Sequence, residues 1–349
     1  MGLFFKKKDF IIPSTGIDTV EKINLGGVEQ SILIQAVDPS NPVLLFIHGG
    51  PCMPVPGVVS RGQDYAIATN TKKLVEHFVL VFWDQRGAGK SYSHTIPPQT
   101  IRVEQFISDG NELIGILKEK FTKEKIYLAA HSWGSMIGLS IASRYPEQLH
   151  AYIGISQLLS WTENDTHCYD WVKNKAEKSN DTKTLRKLEQ IGKPPYVKNV
   201  KQWTSFRTIL MKYKSMIYEN ETVKHPGMLG GLKLFLNSSD YTLKDIFNTF
   251  YRAYQLTYTQ TLINDFANVN LNLIKKIEVP LYFLHGTHDF HVDGKPVKRF
   301  LEEVETTLDK EMYWFENSSH MFHPVDTQEI EDFLIKLGSS NNDSKSAVI

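Results

Sequence analysis

The chain has 349 residues, and its 39 Lys+Arg balance its 39 Asp+Glu to a formal net charge of zero. Hydrophobic residues make up 41% and charged residues 22%, proportions of a globular protein with a full core that exclude a disordered or collagen-like chain. A neutral chain has no global field to hold a polyanion, so neither nucleic acid nor an anionic membrane is an expected partner.

Two cysteines, Cys52 and Cys168, allow one disulfide at most, and no Cys-x-x-Cys pair points to zinc. The longest apolar run, 78–83, has six residues, far short of the roughly 18 that span a bilayer. At the N-terminus three lysines follow a very short apolar patch, the reverse of a signal peptide, and Lys6 stands where a myristoylation motif needs Ser or Thr. The expected location is cytoplasmic.

Short apolar runs alternate with helical patterns along the chain, which predicts a parallel sheet covered by helices. The expected strands are 43–47, 78–83, 126–130, 152–155, 280–284 and 312–315. Apolar residues at three- and four-residue spacings predict helices over 102–121, 133–144 and 327–337. From 156 to 275 the alternation stops and no strong strand run occurs, so a helical insertion is expected between two strands. Its 161–235 stretch carries 14 Lys+Arg and 8 Asp+Glu, a local charge of 14 − 8 = +6, which reads as a solvated helical surface. After Gly338 the chain turns polar over 339–344, and 339–349 are expected to form a flexible tail.

Chemistry concentrates where strands end. In Ala130-His-Ser-Trp-Gly134 a serine lies between an apolar strand and an apolar helix. A sharp strand-to-helix turn projects such a hydroxyl above the sheet, and small flanking residues let the turn close. Ser14-Thr-Gly16 repeats the fragment without a following helix. His48-Gly-Gly-Pro51 follows an earlier strand, where the Gly50 amide, with that of Trp133, could hold an oxyanion. The stretch 84–91 ends like a phosphate loop, but Asp84 stands where that pattern needs Gly, so a structural loop is expected. A serine needs a base and the base an orienting acid. His320, after the last strand, is the candidate base, with His323 as competitor. Asp289 is the candidate acid, with Asp293 as competitor. The chain order Ser132, Asp289, His320 is distinct from the orders on other serine-protease folds.

His48-Gly-Gly-Pro51, Trp83-Asp-Gln-Arg-Gly-Ala-Gly-Lys-Ser91, His131-Ser-Trp-Gly134, His285-Gly-Thr-His-Asp289 and Ser319-His320 together resemble α/β-hydrolases of the proline iminopeptidase group. The likeness covers about 25–155 and 276–337. It implies an α/β-hydrolase fold, with a mostly parallel sheet, helices on both faces and an inserted helical cap. The core would be 1–155 with 276–338, and the cap 156–275. It implies Ser132 as nucleophile, His320 as base and Asp289 as orienting acid, with no cofactor and no metal. Two departures stand out: Cys52 replaces the usual glycine after the oxyanion motif, and Ala130 the first glycine of the turn.

In that group cap carboxylates hold the substrate's free amine, for which Glu163, Glu219 and Glu221 are the candidates here. The expected activity is a serine hydrolase removing an N-terminal residue from a short peptide or related small molecule, through an acyl-enzyme. The rival expectations are an esterase, thioesterase or amidase of the same fold, and a receptor of that fold with little turnover.

Overall fold

The computed structural model describes residues 8–346. The chain opens with a hairpin, β1 (Ile17–Leu25) and β2 (Val28–Ala36), followed by β3 (Val43–Ile47), a short α1 (Leu74–His77) and β4 (Val79–Asp84). Then come α2 (Val103–Lys120), β5 (Ile126–His131), α3 (Trp133–Arg144) and β6 (Leu149–Ile155). A helical excursion follows, comprising α4 (Trp161–Lys178), α5 (Thr182–Ile191), α6 (Val200–Lys212), α7 (Gly227–Asn237) and α8 (Leu243–Phe247). The last runs through a π-helical segment, Asn248–Ala253, into α9 (Tyr254–Thr257), and α10 (Gln260–Ala267) ends the excursion. The chain closes with β7 (Leu281–Gly286), α11 (Gly294–Glu303), β8 (Lys310–Phe315) and α12 (Pro324–Ser346).

The eight strands form one sheet in the order β1-β2-β4-β3-β5-β6-β7-β8. The β1–β2 and β2–β4 pairs are antiparallel and the remaining pairs parallel. β3 is apolar throughout because both sheet faces are covered. Leu45 and Ile47 face α2 and α3 in one core, while Leu44 and Phe46 face α1 and α12 in the other. The parallel strands all end at one edge, so the loops after β3, β4, β5, β7 and β8 meet there. In open parallel sheets that edge is where ligands bind.

The six strands expected from apolar runs are all present, with ends shifted by up to three residues. The β1–β2 hairpin carried no such signal. β2 buries Gln30, Ser31 and Gln35, which interrupt its apolar run. Gln30 accepts from Trp83 Nε1 at 2.9 Å and donates to Asp109 at 2.7 Å. The C-terminus also differs from expectation, since α12 continues through Gly338 to Ser346. Gly338 is a packing residue and not a stop: a Cβ there would lie 2.4 Å from Phe78 Cζ. Residues 347–349 of the expected tail, and 1–7 of the N-terminal patch, lie outside the described residues. No helix among the described residues is long and apolar enough to cross a membrane.

Candidate active site

Ser132 links β5 to α3 with φ 53° and ψ −121°, a conformation that L-residues adopt at a cost of order 1–3 kcal/mol. The turn survives because small residues line it. A Cβ on Gly134 would lie 2.4 Å from the His48 carbonyl oxygen and 2.6 Å from that of Ile47. Ala130 is tolerated because α3 faces it with Gly138, whose added Cβ would come within 2.7 Å of the Ala130 Cβ. The Ser132 amide donates to the Ile155 carbonyl at 3.0 Å, tying the turn to the end of β6.

The structure brings Ser132, His320 and Asp289 together from three loops. His320 Nε2 lies 2.8 Å from Ser132 Oγ, and His320 Nδ1 lies 2.9 Å from Asp289 Oδ2. The other Asp289 oxygen accepts from the amides of His291 and Val292 at 2.9 and 2.8 Å. Burial opposes the Asp289 charge. It is outweighed by His320, by His285 and by the Val292 amide, which together hold the carboxyl well below its usual range. Asp289 is therefore an anion beside Nδ1, which leaves Nε2 as the nitrogen that can take a proton from Ser132. The His320 loop is pinned through its neighbour Ser319, whose hydroxyl contacts the His288 carbonyl (2.8 Å) and the Ser215 carbonyl (3.0 Å).

The competitors lie elsewhere. His323 Nδ1 accepts from the Val325 amide at 3.2 Å, at the start of α12. Asp293 caps α11 through the Lys295 amide and pairs with His167 Nδ1 at 2.7 Å.

The loop after β3 presses against the serine. A Cβ on Gly49 would sit 3.1 Å from Ser132 Cβ and 3.0 Å from His131 Nδ1. Gly50 has φ 41°, which suits a glycine and turns the chain beside the serine. The loop after β4 buttresses this arrangement. The Gln85 amide donates to His48 Nε2 (3.1 Å), its side-chain amide to the His48 carbonyl (2.8 Å), and its Oε1 accepts from Trp133 Nε1 (3.1 Å). Next to it Arg86 makes a two-point contact with Asp109, both fully buried. The stretch 84–91 is thus a brace under the site.

Two further imidazoles flank His320. His131 and His291 have ring centroids 5.0 and 4.9 Å from its own. Burial, reinforced by His320, pushes His131 down to about 3 and His291 well below the usual imidazole range, so both are neutral near pH 7. The excursion contributes an aromatic wall. Trp203 stacks on Tyr258 at 5.0 Å, and the Tyr258 hydroxyl lies 3.8 Å from where a Gly50 Cβ would be. Arg207 on α6 lies over Trp161 and Trp203 and pairs with buried Asp165 of α4. No local pattern marks this pair, because its members are 42 residues apart on different helices.

The three glutamates expected to hold an amine are not brought to this place. Glu163 is taken up by Arg299 and Asn272. Glu219 is exposed and pairs with Lys214, and Glu221 is exposed. Each stays where water or a lysine or arginine solvates its charge, which costs less than burial in the aromatic wall. The excursion's buried carboxylate in this wall is Asp165. Both cysteines are free and buried, and burial pushes the Cys52 thiol up to about 12, so it is no thiolate near neutral pH.

The chain is similar to known proteins over most of its length. A Bacillus subtilis protein named probable aminopeptidase YbaC is 30% identical over 308 residues, which are 88% of this chain and 92% of that protein. The solved structure of the proline iminopeptidase-related protein TTHA1809 from Thermus thermophilus superposes with a TM-score of 0.59 at 15% identity, covering 92% of this chain and 97% of that one. Proline iminopeptidase from Mycobacterium smegmatis superposes with a TM-score of 0.58 at 13% identity, covering 94% of this chain and all of that one. At such identity these structures speak to the fold alone. Residues 42–327, which hold every loop of the site, match the family described as alpha/beta hydrolase fold. With that match, the sheet order and the turn at Ser132, the chain belongs to the α/β-hydrolase family.

Proposed function

We propose that this hydrolase is a serine enzyme of the proline iminopeptidase type, which removes an N-terminal residue through an acyl-enzyme. The observation that carries the reading is the hydrogen-bonded chain Ser132 Oγ–His320 Nε2–Asp289 Oδ2 on a strained, buried turn. In the proposed reaction Ser132 Oγ attacks the scissile carbonyl carbon while its proton passes to His320 Nε2. The amides of Gly50 and Trp133 receive the oxyanion. His320 then protonates the leaving nitrogen, the C–N bond breaks, and water repeats the sequence to free the acid. Helices α4 to α10 act as a cap that excludes bulk water and shapes the pocket. The kinship with a probable aminopeptidase supports the choice of bond.

A second reading, an esterase or amidase with no need for a free amine, is favoured by one observation: Asp165, the buried cap carboxylate, is already engaged by Arg207. One experiment separates the two. A prolyl arylamide turned over far faster than its N-acylated form supports the aminopeptidase. Equal turnover of both sinks it. Labelling of the wild type by a fluorophosphonate, lost in Ser132→Ala, tests the serine chemistry common to both.

A further inference from the structure

The surface of α7 and of the helix that runs from α8 through the π-helical segment into α9 is apolar to an unusual degree. Leu229 is 71% exposed, Leu243 80% and Phe247 51%. Leu236, Phe250 and Tyr251 are exposed beside them. The positions are ordered. Leu229, Leu232 and Leu236 form one stripe on α7, while Leu243, Phe247, Phe250 and Tyr251 form another on the second helix. Leu234 and Phe235 of α7 are buried, as is Ala253 of the second helix, whose Ile246 packs on the core, and Phe235 meets the outer Phe250 with ring centroids 5.0 Å apart. Each helix therefore has a core-facing apolar side and a second, outward one. Contiguous exposed apolar surface of this kind marks an interaction site.

The charges around it select the occupant. The segment 224–254 holds Lys224, Lys233, Lys244 and Arg252 against Asp240 and Asp245. Both acids are neutralised from the body of the protein, Asp240 by Arg61 and Asp245 by Lys90. Lys233 and Lys244 form no ion pair among the described residues, and Arg252 lies over the Phe247 ring. Exposed apolar stripes edged by unneutralised cations are what an interfacial helix presents to anionic headgroups. A second copy of this chain is a poor occupant, because a twofold interface would bring these cations against their own copies.

We infer that this face docks on the surface of an anionic lipid bilayer. It lies in the interface, spanning nothing, and its local charge does what the neutral whole chain does not. The inner end of the face reaches the site: Tyr254 packs on Tyr258 at 4.4 Å, and the Tyr258 hydroxyl borders Gly50. Docking would thus set the proposed pocket next to a lipid phase.

The test is co-sedimentation of the full-length protein with phosphatidylcholine vesicles, with and without phosphatidylglycerol, at low and high salt. Sedimentation with the anionic vesicles alone, weakened by salt, is the expected result. Lys233→Gln with Lys244→Gln should weaken it about thirty-fold. Leu229→Ser, Leu243→Ser and Phe247→Ser combined should weaken it by about ten-fold or more. Unchanged thermal melting shows that these exposed substitutions leave the fold intact. Absence of sedimentation, equal sedimentation with both vesicles, or a soluble dimer that the apolar triple variant dissociates would overturn the inference. None of these outcomes bears on the serine chemistry.

Discussion

His320 has a neutral imidazole on either side, an anion at one nitrogen and a hydroxyl at the other. Only the last two partners can exchange or hold its proton, so they define its proposed role. His320→Ala is expected to lower turnover by roughly 10⁴-fold or more. His323→Ala, at the foot of α12, should leave turnover unchanged, and a steady-state assay of both variants checks the pair. Asp289→Asn keeps the shape but puts a donor opposite Nδ1, and a loss of about 10⁴-fold in kcat with little change in KM is expected. These residues were legible in the sequence because each lies in the loop that follows a strand read from an apolar run. The sequence also left His323 and Asp293 open, since one ordinary loop holds both members of each pair. Geometry separates them: one reaches the serine's side of the loop, and the other caps the next helix. The flanking His131 and His291 were not legible as neighbours of His320, because nothing local says which way a ring points.

At the scale of elements, the site is a set of loops held in register by buried polar contacts. The Arg86–Asp109 pair ties the loop after β4 to α2, with both side chains fully buried. Removing one member strands the other, so Asp109→Leu should cost about 3–5 kcal/mol in chemical denaturation, and Arg86→Met added to it should restore part of that. The start of α3 has the least room. Gly134→Ala must displace the ends of the β3 carbonyl ladder, and should cost roughly 1–3 kcal/mol of stability together with most of the activity. Asp84 joins three segments, accepting from the amides of Val58 (2.7 Å) and Lys90 (2.8 Å) and from the Tyr241 hydroxyl (2.8 Å). The sequence read this stretch as a structural loop. Which residues it braces could not be read, because Gln85, His48 and Trp133 come from three separate elements.

For the whole molecule, buried titrating groups set the response to acid. Burial lowers His48 to about 4 and His131 to about 3, and it lowers His285 and His291 as well. A depressed histidine binds fewer protons folded than unfolded. Its stabilisation is complete above the unfolded value of about 6.5 and falls as pH drops towards the folded one. Asp84 works the other way. Burial raises it to about 6, so it costs stability as pH rises from about 4 to 6. Asp165 and Glu331 are raised by burial like Asp84, and His225 and His288 are lowered like the other four, so six imidazoles against three carboxylates decide the sign. Thermal melts should show Tm falling from pH 7 to pH 5, as stability drops by up to about 1.4 kcal/mol per pH unit for each imidazole below its unfolded pKa. A Tm that rises over that range would show that the buried carboxylates Asp84, Asp165 and Glu331 dominate.

Sequence by itself determined the parallel sheet, the order of its loops and the three residues at their tips. Apolar runs of strand length need two covered faces, and the polar residues that follow them must lie at the sheet's edge. It did not determine the hairpin, whose buried Gln30 and Ser31 look like loop residues until Trp83 and Asp109 are seen opposite the first and Ser91 opposite the second. Nor did it determine the interior of the helical excursion. The glutamates singled out for an amine went to solvent or to surface cations, and Asp165 went inside with Arg207. Burial of a charge depends on the partner across the gap, which periodicity along one helix does not encode. The neutral total likewise concealed an apolar face edged with lysines, because charge sums over the chain whereas a surface presents only what the fold turns outward.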